Sequence, residues 1–223
     1  PGFGPLTHAL ASKAKKVIAF EIEQKLKKYW EDERKKHKNL NIDIVWGDGI
    51  DKFKNMEGQL PDTYKFFSNL PYQITSYAIK TLLEAENKPD KIVVMVQKEV
   101  AERICSDPGD LSLLSVFVQF YGKPRIVKQV SREAFWPKPN VDSAVLSIEE
   151  VRDPGIDAGK FFKVVKSGFS HKRKLLSNNL SGQLNLDKQE LEDYLLEIKG
   201  NKKVRAQKLS VEDWAELVTR LEI

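Results

Sequence analysis

The stretch Tyr64-Lys65-Phe66-Phe67-Ser68-Asn69-Leu70-Pro71-Tyr72 decides how this chain is read. Residues 64–68 form an apolar-aromatic run of strand-forming residues. The chain then leaves the strand through a carboxamide, a carbonyl fixed by the following proline, and an aromatic ring. That set suits a planar ring carrying an amino group. The Asn69 side-chain oxygen and the Leu70 carbonyl each accept one amine hydrogen, and Tyr72 stacks on the ring face. The plainer alternative is a strand closed by a proline turn, and four residues alone do not separate the two.

Outward from this stretch, apolar runs alternate with charged, helix-like ones. A helix is predicted over 8–16, a strand over 17–20 that ends at Glu21, and a charged helix over 24–37. A second strand over 42–46 closes on Gly47-Asp48-Gly49. Beyond the opening stretch come a helix over 76–86, a strand over 91–97 and a helix over 99–105. Further elements cover 113–121, 124–130 and 144–149. Strands alternating with helices predict an α/β fold with a mostly parallel sheet. The unbroken run Ile92-Val93-Val94-Met95-Val96 suits a strand covered on both faces. Asp153-Pro154-Gly155 reads as a linker, after which only helices are predicted, over 161–168, 171–178, 188–198 and 211–221. Two domains are therefore expected: an α/β domain at 1–153 and a small all-helical domain at 156–223.

The chain has 223 residues, 41% apolar and 31% charged, as ordinary globular proteins do. Its one cysteine, Cys105, excludes an internal disulfide framework and a cysteine-based zinc site; it is expected as a buried small hydrophobe. This suits a reducing compartment, and a cytoplasmic location is expected. No apolar run approaches a membrane span. His8, His37 and His171 are scattered without ligand spacing, so no metal is assigned. The net charge is +5, compatible with nucleic acid but not diagnostic of it. Its distribution says more: Lys160, Lys163, Lys166, Lys172, Arg173 and Lys174 fall in a stretch, 160–186, without an acidic residue. A solvated face usually mixes both signs, so this one-sign stretch points to a phosphate-binding surface and to RNA.

Four further places have chemistry of their own. Gly2-Phe3-Gly4 ahead of a helix lets backbone approach a ligand, though a plain loop would use the same glycines. Glu21, about 20 residues on at a strand tip, stands where nucleotide-binding βαβ units place a ribose-binding acid; otherwise it starts the next helix. Asp48 at the next strand tip accepts from an amine such as that of adenine, or simply makes an Asp-Gly turn. Ligands of open α/β sheets bind beyond the carboxyl ends of the strands, the edge expected for Glu21, Asp48 and Asn69. The run from Phe135 through Trp136, Pro137 and Lys138 to Ser143 is a proline-stiffened aromatic loop, suited to stacking on bases or to capping the core. Tyr29 and Trp30 are expected as packing residues.

With these pieces in line the chain resembles the ribosomal RNA adenine dimethyltransferase family. Pro1-Gly2-Phe3-Gly4-Pro5-Leu6-Thr7 is similar to the end of the family's glycine motif, and Asn69-Leu70-Pro71-Tyr72 to its catalytic motif. The strand ending at Glu21, the Gly47-Asp48 turn, Met95 to Ala101, Leu114-Ser115-Val116 and the Phe135 to Ser143 loop resemble further blocks. His171-Lys172-Arg173-Lys174, Asn178-Asn179-Leu180, Arg205-Ala206 and Leu209-Ser210 resemble the family's helical domain. The resemblance implies a Rossmann-like sheet that uses S-adenosyl-L-methionine, with Gly2, Gly4, Glu21, Ile22, Asp48, Gly49 and Asn69 at the cofactor. It implies Asn69, Leu70, Pro71 and Tyr72 as the catalytic set. Tyr72, Phe135, Lys138, His171, Lys172, Arg173 and Lys174 are then expected on the RNA. The expected activity is dimethylation of two adjacent adenines near the 3′ end of small-subunit rRNA, by a monomer acting on the immature small subunit. Two alternatives stand: the antibiotic-resistance branch, acting on large-subunit rRNA, and a non-catalytic assembly or transcription factor. The family pattern carries a further strand ahead of the glycine turn, so the chain as given is expected to lack part of the cofactor pocket.

Overall fold

β-branched and aromatic residues fill Val17–Glu21 and Ile42–Trp46, which pair in parallel as β1 and β2, from Val17 opposite Ile42 to Glu21 opposite Trp46. The computed structural model describes residues 1–37 and 39–221. They fall into two compact units, Pro1–Asp62 with Ala85–Asn87, and Thr63–Glu84 with Lys88–Ile223.

In the first unit, α1 (Pro5–Ala11) starts on a proline, which is preset for a first helical turn. It ends earlier than expected, since the lysine-rich residues after Ser12 offer no apolar face to bury. A short 3-10 turn (Gln24–Leu26) leads into α2 (Lys27–Lys36), the crossover between β1 and β2. α3 (Gly49–Met56) was not anticipated. Its first turn is closed by the Asp48 carboxylate and its buried face is Ile50 and Phe53, three residues apart. The core gathers Ala11, Trp30 and Ile42. His8 and His37 are not scattered: both ring Nε2 atoms approach Glu33 Oε2, at 3.4 and 3.5 Å. Among the described residues no group of His, Cys, Asp and Glu has metal-holding geometry.

The second unit holds a four-stranded sheet in the order β3 (Lys65–Asn69), β4 (Lys91–Gln97), β6 (Ser143–Glu149), β5 (Lys123–Val130). β3 and β4 are parallel, while β6 runs antiparallel to both β4 and β5, so this sheet is mixed rather than mostly parallel. β4 alternates instead of being sealed on both faces: Ile92, Val94 and Val96 are fully buried, Val93 and Met95 only partly. β5 is an edge strand whose solvent face carries Lys123, Arg125 and Lys128 and whose pairing is bulged at Val127, devices that discourage edge pairing. α4 (Thr75–Glu84) crosses from β3 to β4 and buries Ala78, Ile79, Leu82 and Leu83. α5 (Lys98–Ile104) follows β4 directly, and α6 (Leu113–Tyr121) opens with a reciprocal Ser112–Ser115 capping box. Cys105, after α5, is half-buried rather than buried.

The helical segment comprises α7 (Ala158–Gly168), α8 (Leu176–Leu184), α9 (Lys188–Lys199) and α10 (Val211–Arg220). It joins the sheet-bearing part through aromatic packing: Phe161 stacks on Phe120 at 4.1 Å, and Phe162 packs against Phe117 and Phe120. His171–Lys174 lie outside any helix, contrary to the helix expected over 171–178. The buried Asn179 side chain donates to the carbonyls of Gly168 (2.7 Å) and His171 (3.0 Å), which holds this stretch as a turn.

Two outcomes follow for stability. A Cβ on Gly168 would stand 2.4 Å from a Trp214 ring carbon and 2.8 Å from Leu176 Cδ1. Gly168→Ala therefore gains up to about 1 kcal/mol of helix propensity but loses more to overpacking, about 1–3 kcal/mol, and a thermal melt should show a lower Tm. Glu149 accepts from Arg125 (2.8 Å), Lys91 (2.5 Å) and Ser147 (3.2 Å), bridging β5, β6 and β4. Arg125 first, then Lys91, hold its carboxyl down at about 2. A depressed carboxyl stabilises the fold above its ordinary pKa and stops doing so as pH falls through the depressed value. The Tm advantage of the natural chain over Glu149→Gln should be full near neutrality and shrink between about pH 4.5 and pH 2.

Candidate active site

The tip of β3 is built by one buried residue between exposed ones. Asn69 is the last residue of β3, paired with Met95 of β4, and its side chain is exposed. Leu70 turns inward and is 8% exposed, which anchors the turn in the core. Pro71 holds φ at −56°, and its carbonyl accepts from the Ile74 N–H (3.2 Å) and the Thr75 hydroxyl (3.3 Å). Those bonds wind Tyr72–Ile74 into a 3-10 turn that runs into α4. Among the described residues the Asn69 carboxamide receives and makes no hydrogen bond, so its oxygen and nitrogen face solvent.

Tyr72 is tethered at its far end. Its hydroxyl lies 2.7 Å from Ser143 Oγ, and Ser143 is fully buried at the start of β6, opposite Gln97 of β4 and Val130 of β5. A bond across 71 residues fixes where the ring stands. Sequence reasoning passed over Ser143 as a loop end. Its one signal is a small hydroxyl at the head of a largely apolar strand, which does not name a partner.

The loop before β6 is pinned at both ends. Asp142 accepts from the Arg132 N–H through its side chain (3.0 Å) and from the Lys98 N–H through its carbonyl (3.0 Å). Phe135 is half-buried, while Trp136 is 97% exposed. Lys138 is not free: its ammonium pairs with Glu133 at 2.5 Å. A cleft of about 620 Å³ beside this loop is lined by Lys98, Glu99, Arg132 and Asp142 among others, not by the β3 tip. His171, Lys172, Arg173 and Lys174 are exposed, and none has an acidic partner among the described residues. The same holds for Lys160, Lys163 and Lys166.

In the first unit the structure brings Gly2 and Glu21 together. Glu21, 6% exposed at the end of β1, accepts from the Gly2 N–H (2.8 Å) and the Glu23 N–H (2.7 Å) and lies 2.9 Å from the Pro1 nitrogen. Burial pushes its carboxyl up, while the hydrogen bonds from the Glu23 and Gly2 amides pull it down. Gly2 and Gly4 have φ of +59° and +83°, the left-handed region that glycine adopts freely. The turn hangs on α2: Trp30 Nε1 donates to the Gly2 carbonyl (3.1 Å) and the Tyr29 hydroxyl to that of Phe3 (2.8 Å). Asp48 Oδ1 caps α3 by accepting from Ile50 and Asp51, which leaves its second oxygen for another donor. Ile22 is an exposed apolar side chain beside Glu21, and Gly49 fits closely over Phe20. A buried carboxylate, a half-used one and an exposed apolar ledge suit a ribose diol, an amine and a flat ring, so the donor types fit a nucleoside-bearing cofactor.

The family model described as "Ribosomal RNA adenine dimethylase" matches residues 1–222. The protein of Bacillus licheniformis named ribosomal RNA small subunit methyltransferase A is 40% identical over 99% of this chain and 79% of its own length. The protein of the same name from Dehalococcoides mccartyi is 40% identical over 96% of this chain and 74% of its own. Among solved structures, the 23S rRNA methyltransferase ErmE is 26% identical with a TM-score of 0.78, covering 100% of this chain and 88% of its own. A dimethyladenosine transferase from Plasmodium falciparum shares the fold with a TM-score of 0.81 at 24% identity, over 97% and 85% of the two chains. A match along nearly the whole chain, with relatives at 40% identity, makes this protein a member of the ribosomal RNA adenine dimethylase family.

Proposed function

We propose that this chain dimethylates the exocyclic amine of two adjacent adenines near the 3′ end of small-subunit rRNA, acting in the cytoplasm as a monomer on the immature small subunit. The observation that carries this reading is the solvent-facing Asn69 carboxamide at the end of β3, followed by the buried Leu70 anchor and the tethered Tyr72 ring. The name shared by the relatives at 40% identity supports the small subunit as target. S-adenosyl-L-methionine, when bound, supplies an electrophilic methyl group on a sulfonium. Gly2, Gly4, Glu21, Ile22, Asp48, Gly49 and Asn69 are the residues proposed to hold it, Glu21 at the ribose hydroxyls and Asp48 at the adenine amine.

The amine of adenine is a poor nucleophile because its lone pair is conjugated into the ring. The Asn69 oxygen and the Leu70 carbonyl accept its two hydrogens, which favours the tetrahedral nitrogen whose lone pair is available. Once methylated the nitrogen is acidic and its proton passes to solvent, so no strong base is needed. Tyr72 stacks on the base on one face and Phe135 on the other. The chain's part is then positioning and a placed dipole. A base held this way has left its helix, so the target is flipped or unpaired. In this reading the domain at 1–153 carries the chemistry. The domain at 156–223 grips the RNA through His171, Lys172, Arg173 and Lys174, and Lys138 exchanges Glu133 for a phosphate.

The likeness to ErmE at 26% identity keeps large-subunit rRNA as a second reading. Methyl incorporation into immature small subunits, against naked large-subunit rRNA, separates the two. Asn69→Ala should lower kcat by at least about 100-fold, the scale set by loss of one preorganised polar contact, while RNA affinity holds; retained turnover would refute the assignment. Tyr72→Phe and Ser143→Ala each cut the tether and should each lower kcat about 5- to 10-fold, as for one lost hydrogen bond. The double variant should be no slower than either single one, and additive losses would show that the two residues act independently.

A further inference from the structure

The loop between β5 and β6 carries a large ring that the fold does not use. Of the four tryptophans, Trp30 and Trp214 are buried and Trp46 is half-buried, while Trp136 is 97% exposed. Among the described residues its indole makes no hydrogen bond, ring contact or cation contact. An indole gains from leaving water, so a slack loop would fold it against the protein.

This loop is held too firmly to do so. The Glu133 N–H donates to Ser131 Oγ (3.3 Å) and the Phe135 N–H to the Arg132 carbonyl (3.3 Å). The Arg132 guanidinium reaches the Asn140 carbonyl (3.2 Å), and the Lys138–Glu133 ion pair spans the same segment. Pro137 and Pro139 each fix a backbone angle. The ring is therefore presented to solvent by a braced backbone. Phe135 is extended, with φ of −115° and ψ of 148°, so the side chains at 135 and 136 leave opposite sides of the chain. Two rings placed in this way do not face one base. They suit two bases that have been parted.

We propose that Trp136 determines specificity by stacking on one adenine of the target pair while the other is being methylated. The inference rests on the reading that the substrate is a pair of adjacent adenines and that Phe135 faces the reacting one. A base drawn out of its stack leaves its neighbour with a bare face. An indole held in water beside Phe135 replaces the lost partner, and stacking needs only the π-face of the base. A nucleotide is favoured over a protein partner because Lys138 lies two residues on in the same loop, and an aromatic ring beside a cation meets a base and its phosphate together. Dependence on the neighbouring base would then reside in one side chain.

The test uses the full chain and immature small subunits whose rRNA is ligated to carry an abasic sugar at one of the two adenines, each in turn, with methyl transfer read at the other. The ring stands on one side of the reacting base, so one of the two abasic substrates should cost the natural chain about tenfold in kcat/KM, the scale of one lost base stack. Trp136→Ala should lose about tenfold on the intact pair and nothing further on that abasic substrate, because the stack is already gone. Trp136→Phe, which keeps a ring, should recover most of the loss. The Tm of Trp136→Ala should match that of the natural chain, since the indole is exposed. Full activity of folded Trp136→Ala on the intact pair overturns the proposal. So do losses that add on both abasic substrates, which would place the ring on another partner. If the natural chain binds the subunit but transfers no methyl group, the proposed function fails and the same comparison is read in Kd, where the tenfold coupling is again expected. If it does not bind, both fail.

Discussion

The inward turn of Leu70 is the constraint on which the candidate site depends. One side chain sunk into the core between exposed neighbours fixes the strand end, so that Asn69 faces out while the proline directs the chain into α4. Burying a leucine is worth about 1.5–3 kcal/mol, enough to hold a short turn in one conformation. The Tyr72–Ser143 bond then ties that turn to a different strand. The strand end, the chain direction beyond it and the ring are thereby set by three separate devices: a buried anchor, a locked φ and a long-range tether. A ring fixed before its substrate arrives loses little freedom on binding, which is the condition under which positioning accelerates a reaction.

Much of this was legible in the sequence where local chemistry decides structure. β4 was read to the residue, because five unbroken apolar residues, Ile92 to Val96, have few alternatives. The glycine turn, the acid at the end of β1 and the proline turn after β3 also stood out, since each uses a residue with special backbone or charge properties. α3 escaped because Gly47-Asp48-Gly49 looks like a turn, and only the Asp48 cap with Ile50 and Phe53 reveals a helix start. The sheet was expected mostly parallel because strand direction is not a local property. β6 reverses it, and nothing within residues 143–149 says so. The basic run at 171–174 was placed on a helix, whereas a buried asparagine five residues beyond it diverts the backbone into a turn.

Long-range partners were the least legible. Ser143 and Gln207 are small or neutral polar residues of ordinary appearance, and each matters through a bond to a residue 71 or 98 positions away. Tyr29 and Trp30 were read as packing residues, and they pack, but their polar ends also carry the glycine turn. The same residue thus supplies apolar area and a directed bond, a combination that composition does not distinguish.

The glycine turn has a consequence for how its sequence is able to change. A Cβ at position 4 would stand 2.6 Å from the far edge of the Trp30 ring, and Trp30 is itself the donor to Gly2. Positions 4 and 30, 26 residues apart, therefore form a compensating pair. A larger residue at one is accommodated only by a smaller ring at the other, and that smaller ring forfeits the indole donor. Even then a side chain at φ +83° carries the left-handed penalty of about 1–2 kcal/mol, so drift at either position is closed off by two unrelated costs at once.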